Sequence, residues 1–267
     1  MEEEDFTMAV VEMTKEGRVA TLTLNRPEFA NAFATESYGQ IRDYMEELGN
    51  DQGTGAIVIT GKGRFFSAGG DIQRFKELIE SKTYLQAENL VYAGQMAKAI
   101  RQCPKPVIAM INGAAAGAGL SCALACDYRI VTPSTKMVMA FVNMGLCGDT
   151  GSILTLTKLV GVDKASKIMM TGEPVKGEEA VRIGLASILA EEEKLAETAY
   201  AFAGKLANKS ARAIAAQKRL IYKYFYGMMD EFFQDESEEM AALSRECDFE
   251  EAVYAFLEKR PAVYNKR

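Results

Sequence analysis

Pro106-Val107-Ile108-Ala109-Met110-Ile111-Asn112-Gly113-Ala114-Ala115-Ala116-Gly117-Ala118-Gly119-Leu120-Ser121-Cys122-Ala123-Leu124-Ala125-Cys126 is the stretch that decides the fold. Residues 106–111 form a short apolar run that reads as a buried strand, and residues 120–126 read as a fully buried helix. The small residues between them are therefore a strand-to-helix turn. Nothing larger than a methyl group occurs from Gly113 to Gly119, so a second backbone or a ligand can approach the main chain closely. The first amides of the following helix lack intrahelical acceptors and sit at the positive end of its dipole. Such a turn suits either tight helix-on-sheet packing or the holding of a negative oxygen.

A second turn of the same kind lies upstream, in Phe65-Phe66-Ser67-Ala68-Gly69-Gly70-Asp71-Ile72. Two small-residue loops, each at a strand-to-helix transition, can aim one amide apiece at a single point. Two convergent amides are what an oxyanion needs, and losing one such donor costs on the order of 3 kcal/mol of transition-state stabilisation.

Outward from these loops, strands and helices alternate. Residues 8–13 and 18–24 read as a hairpin around Lys15-Glu16-Gly17. Thr35 reads as the N-cap of a helix over 36–48, and 56–60 as a buried strand. The polar stretch 76–85 reads as a mobile lid, 87–103 as a long helix and 128–132 as a strand. The turn-rich loop Phe141 to Gly151 leads into a helix over 152–159. Helices are expected over 164–170, 176–183 and 191–206, with a strand near 186–189, and residues 211–257 are helical throughout. In that last part Met228, Met229, Phe232, Phe233, Met240 and Leu243 look like a packing face, turned either into the core or toward a second subunit. This alternation, closed by a helical tail, indicates an α/β protein.

The chain has 267 residues, 48% hydrophobic and 25% charged, enough for a sizeable core in one domain or two. Its net charge of -6 argues against nucleic acid or an anionic membrane surface as the main partner. The acidic Met1-Glu2-Glu3-Glu4-Asp5 does not resemble a signal or transit peptide. No apolar run approaches the roughly 18 residues of a membrane span. The expectation is a cytoplasmic protein without membrane or nucleic-acid partners. Five scattered cysteines without a CxxC pair fit reduced thiols. There is no histidine. That removes Ser-His-Asp and Cys-His nucleophiles and leaves carboxylates, and less readily Lys, Tyr or Cys, as general bases.

Several motifs, in this order, resemble the crotonase (enoyl-CoA hydratase/isomerase) superfamily: Leu24-Asn25-Arg26-Pro27 with Asn31-Ala32, Phe66-Ser67-Ala68-Gly69-Gly70-Asp71-Ile72, the run from Pro106 to Gly119, Cys126-Asp127, and Phe256-Leu257-Glu258-Lys259-Arg260. The resemblance implies a crotonase-like spiral of ββα units over residues 1–205. It implies a C-terminal helical oligomerisation region over 206–267 that packs on the core and on neighbouring subunits in a homotrimer or homohexamer. It implies an acyl-CoA thioester as substrate and no cofactor beyond the coenzyme A of that substrate. The amides of Gly70 and Ala118 would form the oxyanion hole. Ala68, Asp71 and Ile72 would lie beside the adenine, and Arg26 or C-terminal lysines such as Lys259 would meet the CoA phosphates.

The acid and base positions depart from the hydratase pattern, because Ser121 and Phe141 stand where typical hydratases carry two glutamates. Asp149, in Gly145-Leu146-Cys147-Gly148-Asp149-Thr150-Gly151, is similar to an aspartate of dienoyl-CoA isomerases, hydroxyisobutyryl-CoA hydrolases and 4-chlorobenzoyl-CoA dehalogenases. Those families use it as proton shuttle, acid or base, and nucleophile. The dehalogenase's water-activating histidine would fall on Gly94. Phe141-Val142-Asn143, Gly145-Leu146 and Asp149 together look most like single-aspartate isomerases such as the decenoyl isomerase of bacterial fatty-acid synthesis, whose thioester rides on acyl carrier protein. A helix cap is the structural role open to Asp149.

The implied activity is double-bond isomerisation or non-standard hydration of an enoyl- or dienoyl-thioester, with Ser121 or Tyr92 as relays for a second proton. Alternatives are a hydrolase or dehalogenase-like enzyme using Asp149, and a weakly active thioester-binding paralogue.

Overall fold

The computed structural model describes residues 9–265, so Met8 and the acidic Met1-Glu2-Glu3-Glu4-Asp5 lie outside the described residues. Strand β1 (Val11–Glu16) pairs antiparallel with β2 (Val19–Leu24), Glu16 facing Val19 across a two-residue turn. Gly17 in that turn has φ 56°, the left-handed conformation that a tight hairpin requires. Helix α1 (Thr35–Asn50) follows. Thr35 is its first helical residue and not its cap; Ala34 is extended, and its amide donates to Ser37 Oγ at 3.2 Å.

Strand β3 (Ala56–Gly61) is buried throughout. After it come α2 (Ile72–Glu80), α3 (Ala87–Gln102) and β4 (Val107–Met110). The expected lid over 76–85 is thus helical for its first half. Polar composition concealed a helix with one apolar side, Ile72, Phe75, Leu78 and Ile79 packing on the core, and Asp71 Oδ1 caps it by accepting from the Gln73 amide at 3.0 Å.

The central small-residue segment is also more structured than a turn. It contains a short strand, β5 (Ala114–Ala116), before α4 (Gly117–Ala125) begins. Three alanines carry no strand signal; tertiary pairing makes the strand. Then follow β6 (Tyr128–Val131), β7 (Lys136–Val138), α5 (Ser152–Val160), α6 (Val162–Thr171), β8 (Val175–Lys176), α7 (Gly177–Arg182), β9 (Ile188–Leu189) and α8 (Leu195–Ala207). Helices α9 (Ala211–Phe225), α10 (Met229–Leu243) and α11 (Cys247–Leu257) complete the chain. Residue 205 lies inside α8, and the break before the terminal helices falls at Asn208-Lys209-Ser210.

Six strands form one sheet in the order β1-β2-β3-β4-β6-β9, parallel from β2 onward, and β5-β7-β8 form a second. The large sheet is covered on both faces, which explains why β3 and β4 read as unbroken apolar runs. Ile57, Ile59, Val107 and Ala109 face the main core, while Ala56, Val58, Ile108 and Met110 face Leu195, Ala199 and Ala203 of α8. Helix α10 lies along α3, and α11 packs on α2. Met229, Phe233 and Met240 of the expected packing face are buried, whereas Met228 is 54% exposed. The open apolar side of this region lies on α9, at Leu220, Ile221, Tyr224 and Phe225. Among the described residues no helix is long and apolar enough to cross a membrane.

Gly69 has φ 101°, and a Cβ there would lie 2.8 Å from the Ala116 carbonyl oxygen. Gly69→Ala is expected to cost about 2 kcal/mol or more in urea unfolding. Gly204→Ala, in α8 with nothing within 4 Å of the new methyl, should instead gain about 0.5–1 kcal/mol.

Candidate active site

The two small-residue loops are laced together by main-chain bonds. The Phe66 and Ser67 amides both donate to the Ala114 carbonyl at 3.1 Å, and the Ala116 amide donates to the Ser67 carbonyl at 2.9 Å. A third segment joins them, with Ala68 N bonded to Ala30 O at 2.9 Å and Phe33 N to Gly69 O at 2.7 Å. A side chain on Gly119 would strike Ser67, and one on Gly113 would strike the Arg64 carbonyl. Those two glycines therefore serve close packing. Ala118 is the second residue of α4, so its amide has no intrahelical acceptor. The Gly70 amide donates no hydrogen bond among the described residues.

Gly70 and Ala118 both line a cavity of about 970 Å³, together with Phe141, Met144, Leu146 and Asp149. Ala68, Asp71 and Ile72 also lie on its wall. Arg26 and Gly145 do not. Arg26 instead donates to Asp71 Oδ2 at 2.9 Å and to the Ala32 carbonyl at 2.8 Å, with its guanidinium over the Phe29 ring. It braces the first loop from behind. Gly145, at φ 67°, ends a 3₁₀ turn and passes so close under α11 that a Cβ would lie 3.0 Å from Asp248 backbone. Arg74 and Arg260 line the wall where Lys259 does not, and Arg260 is held by Glu251 and Glu258. The C-terminal helices contribute Met240, Ala252 and Phe256 to the wall.

Asp149 does not cap α5 with its side chain; the capping position belongs to Gly151. Its carboxyl is 6% exposed, and Ser121 Oγ donates to Oδ1 across a long 3.4 Å. The same hydroxyl makes a shorter bond, 3.1 Å, to the Gly117 carbonyl. Burial pushes Asp149 up to about 6, against the opposing pull of the Thr150 and Ser121 hydroxyls. A carboxylate so placed is a base suited to neutral pH.

Two further groups belong to this neighbourhood and carry no signal in the sequence. Tyr38, which reads as one more apolar position on α1, lines the cavity with its ring 5.0 Å from that of Phe33. Burial, and then the Asp149 charge, raise its phenol well above the ordinary value, so it stays a neutral donor. Glu236, on α10, is 6% exposed, and its Oε2 accepts from the Gly151 amide at 2.7 Å. Tyr92, the other relay named from sequence, is 40% exposed with the Arg42 guanidinium 5.0 Å from its ring centroid.

Residues 14–267 match the family model described as enoyl-CoA hydratase/isomerase. The chain is 34% identical to a probable enoyl-CoA hydratase of Bacillus subtilis (strain 168), covering 95% of this chain and 97% of the relative. It is 31% identical to a trans-2-decenoyl-[acyl-carrier-protein] isomerase of Streptococcus mutans serotype c, covering 91% and 92% respectively. A crystal structure of an enoyl-CoA hydratase from Mycobacterium avium subsp. paratuberculosis K-10 superposes with TM-score 0.87 at 27% identity, over 97% of this chain and 99% of that one.

Holding Asp149 near 6 rather than its ordinary 3.8 carries a stability cost. Between those values the native state binds more protons than the unfolded chain, so the protein loses stability as pH rises through that window. Asp149→Asn, which does not titrate, is expected to be more stable than wild type by about 2–3 kcal/mol at pH 7. Urea unfolding should show the gap closing as pH falls to about 4.

Proposed function

We infer the reaction from one premise: the chain belongs to the enoyl-CoA hydratase/isomerase family. We propose that it isomerises an enoyl- or dienoyl-thioester, or adds or removes water by a route with one carboxylate. The observation that carries this is a single buried carboxyl, Asp149, on the cavity wall that also bears Gly70 and Ala118. Ser121 and Phe141 supply no carboxylate, and Asp71, the other acid on that wall, is paired with Arg26.

In this reading the Gly70 and Ala118 amides grip the thioester oxygen. Asp149, mostly ionised at neutral pH, takes a proton from a carbon of the acyl chain. That C–H electron pair becomes part of a conjugated enolate whose charge rests on the gripped oxygen. Asp149, now protonated, returns the proton to a different carbon, and the double bond has moved. Atoms and charge balance without cofactor or metal. For water addition, Asp149 takes the proton of water as its oxygen bonds to the acyl chain, then delivers that proton beside the thioester. Tyr38, on the cavity wall and within reach of the Asp149 charge, and Ser121, 3.4 Å from Oδ1, are the hydroxyls proposed to help hold such a water. Each amide donor contributes on the order of 3 kcal/mol to the enolate-like transition state.

The thioester is best read as acyl-CoA, with Arg74 and Arg260 on the cavity wall for its phosphates. Acyl carrier protein is the second carrier, a reading supported by the Streptococcus mutans relative's name. The exposed apolar side of α9 supports assembly into a trimer or hexamer; sedimentation reporting a monomer would remove that reading.

A panel of enoyl-, dienoyl- and hydroxyacyl thioesters, on CoA and on acyl carrier protein, tests the reaction. Asp149→Asn should lower kcat at least 1000-fold, roughly 4 kcal/mol, while CoA-thioester binding persists. For wild type, kcat/KM should rise through pH about 6 toward its neutral-pH value. Trapping of an acyl group on Asp149 by hydroxylamine would instead establish the nucleophile route of a hydrolase or dehalogenase. Tight thioester binding without turnover of any panel member would make the protein a binding paralogue.

A further inference from the structure

The one acid buried beside Asp149 that the reaction does not use is Glu236. It reaches from α10 to the start of α5, where Oε2 accepts from the Gly151 amide at 2.7 Å. Gly151 lies two residues beyond Asp149. The loop between the two turns sharply: Thr150 has φ 59° and Gly151 φ 69°. Such conformations persist only when surrounding contacts fix them. The Glu236 contact is one of these, and Phe233 and Met229, on the same face of α10, close around Gly151 as well.

The other oxygen of the carboxyl behaves differently. Oε1 is buried and has no hydrogen-bond partner among the described residues, and the nearby Ser152 Oγ is buried without one too. A buried carboxylate with one oxygen unpartnered is costly, and an ionised Asp149 nearby makes it costlier. The same group with a proton on Oε1 becomes neutral and gains an O–H. The groups whose charge reaches it are Asp149 and, on the same loop, the Cys147 thiol. Burial keeps that thiol neutral by pushing it up to about 11. The ion pair between α3 and α10, Lys98 with Asp230, lies at the exposed end of α10. Two buried acids whose environments separate them so that one ionises and the other does not form a familiar arrangement for proton transfer.

We propose that Glu236 is the positioning residue of the site: held as a neutral acid, it pins the loop that carries Asp149 and leaves Asp149 as the single negative charge. This rests on the reading of Asp149 as the base, but the state of Glu236 can be measured without it. Burial, reinforced by the Asp149 charge and opposed by the Gly151 and Ile153 amides, pushes Glu236 up to about 8. Glu236 therefore keeps its proton at neutral pH and surrenders it in mildly alkaline solution. A second negative charge then stands beside the base, opposing formation of an anionic enolate.

The first test is an infrared titration of carboxyl groups in the full-length protein without substrate. Wild type should show a protonated-carboxyl band at pH 7 that is absent from Glu236→Gln, and that band should titrate away with its midpoint near pH 8. Asp149→Asn, by removing the neighbouring charge, should move the step to lower pH if anything else is left unchanged about the fold, and circular dichroism checks that it is. A Glu236 already ionised at pH 7, or a step that does not respond to Asp149→Asn, overturns the proposal whatever reaction the enzyme performs. The second test uses whichever thioester of the panel is turned over. Glu236→Gln, which keeps a neutral acceptor for the Gly151 amide, should retain more than a third of wild-type kcat at pH 7. Glu236→Ala should lose ten-fold or more in kcat with KM within three-fold. Wild-type kcat should fall above pH 8 and that of Glu236→Gln should not. Equal impairment of the Gln and Ala variants, or an alkaline fall shared by wild type and Glu236→Gln, would refute the positioning role.

Discussion

Everything in the site depends on two backbones approaching so closely that no side chain fits between them. The loop after β3 and the strand β5 share main-chain hydrogen bonds at Ser67, Ala114 and Ala116. Gly69, Gly113 and Gly119 occupy the points where a Cβ would collide with the other partner. Because this contact is made by the main chain, it fixes the start of α2 and the start of α4 relative to each other with little freedom. Gly70 and Ala118 acquire a common cavity as a result. Helix α4 is also held at its far end, where Arg101 donates to the Leu124 carbonyl at 2.5 Å and Arg129 to the Cys126 carbonyl at 2.8 Å. These buried cations satisfy carbonyls that the helix leaves open and complement the negative end of its dipole.

Onto this rigid frame the protein places few charges. Phe141, Met144, Leu146 and Met240 wall the cavity beside Asp149, and that acid is buried deeply enough to be raised rather than lowered. The arrangement sacrifices stability at neutral pH in return for a carboxyl that titrates near 6, the usual direction of trade between stability and activity. Arg26 and Asp71, whose charges neutralise one another, stiffen the approach to the first loop without adding a net charge to it.

The sequence disclosed the elements that local pattern dictates. Strands β3 and β4 were legible because burial on both faces leaves unbroken apolar runs, and α3 because its apolar positions recur at helical spacing. A helix was legible after the first small-residue loop, but not the extent of α2 through Lys76 to Glu80, since Gln73, Arg74, Lys76 and Glu77 outweigh its apolar side in composition. Strand β5 exists through its pairing with β7, a contact that three alanines do not announce. The loops bearing Gly70 and Ala118, and the position of Asp149, were legible mainly through ordered motifs and family resemblance. Glu236 was invisible for a physical reason. It sits among Asp230, Glu231, Asp235, Glu238 and Glu239, so it looks like one more acid on a solvated face. Its partner Gly151 is 85 residues away along the chain, and only tertiary packing removes it from water.

That α10 and α11 wall the cavity has a consequence for the nascent chain. Synthesis delivers both small-residue loops and Asp149 long before it delivers Met240, Ala252 and Phe256. Until the last helix leaves the ribosome, an apolar hollow stands open to water and to other unfinished chains, the kind of surface that chaperones recognise. The part of the molecule that carries Gly70, Ala118 and Asp149 is in this sense not autonomous: it holds most of the cavity wall but not the roof that Met240, Ala252 and Phe256 supply.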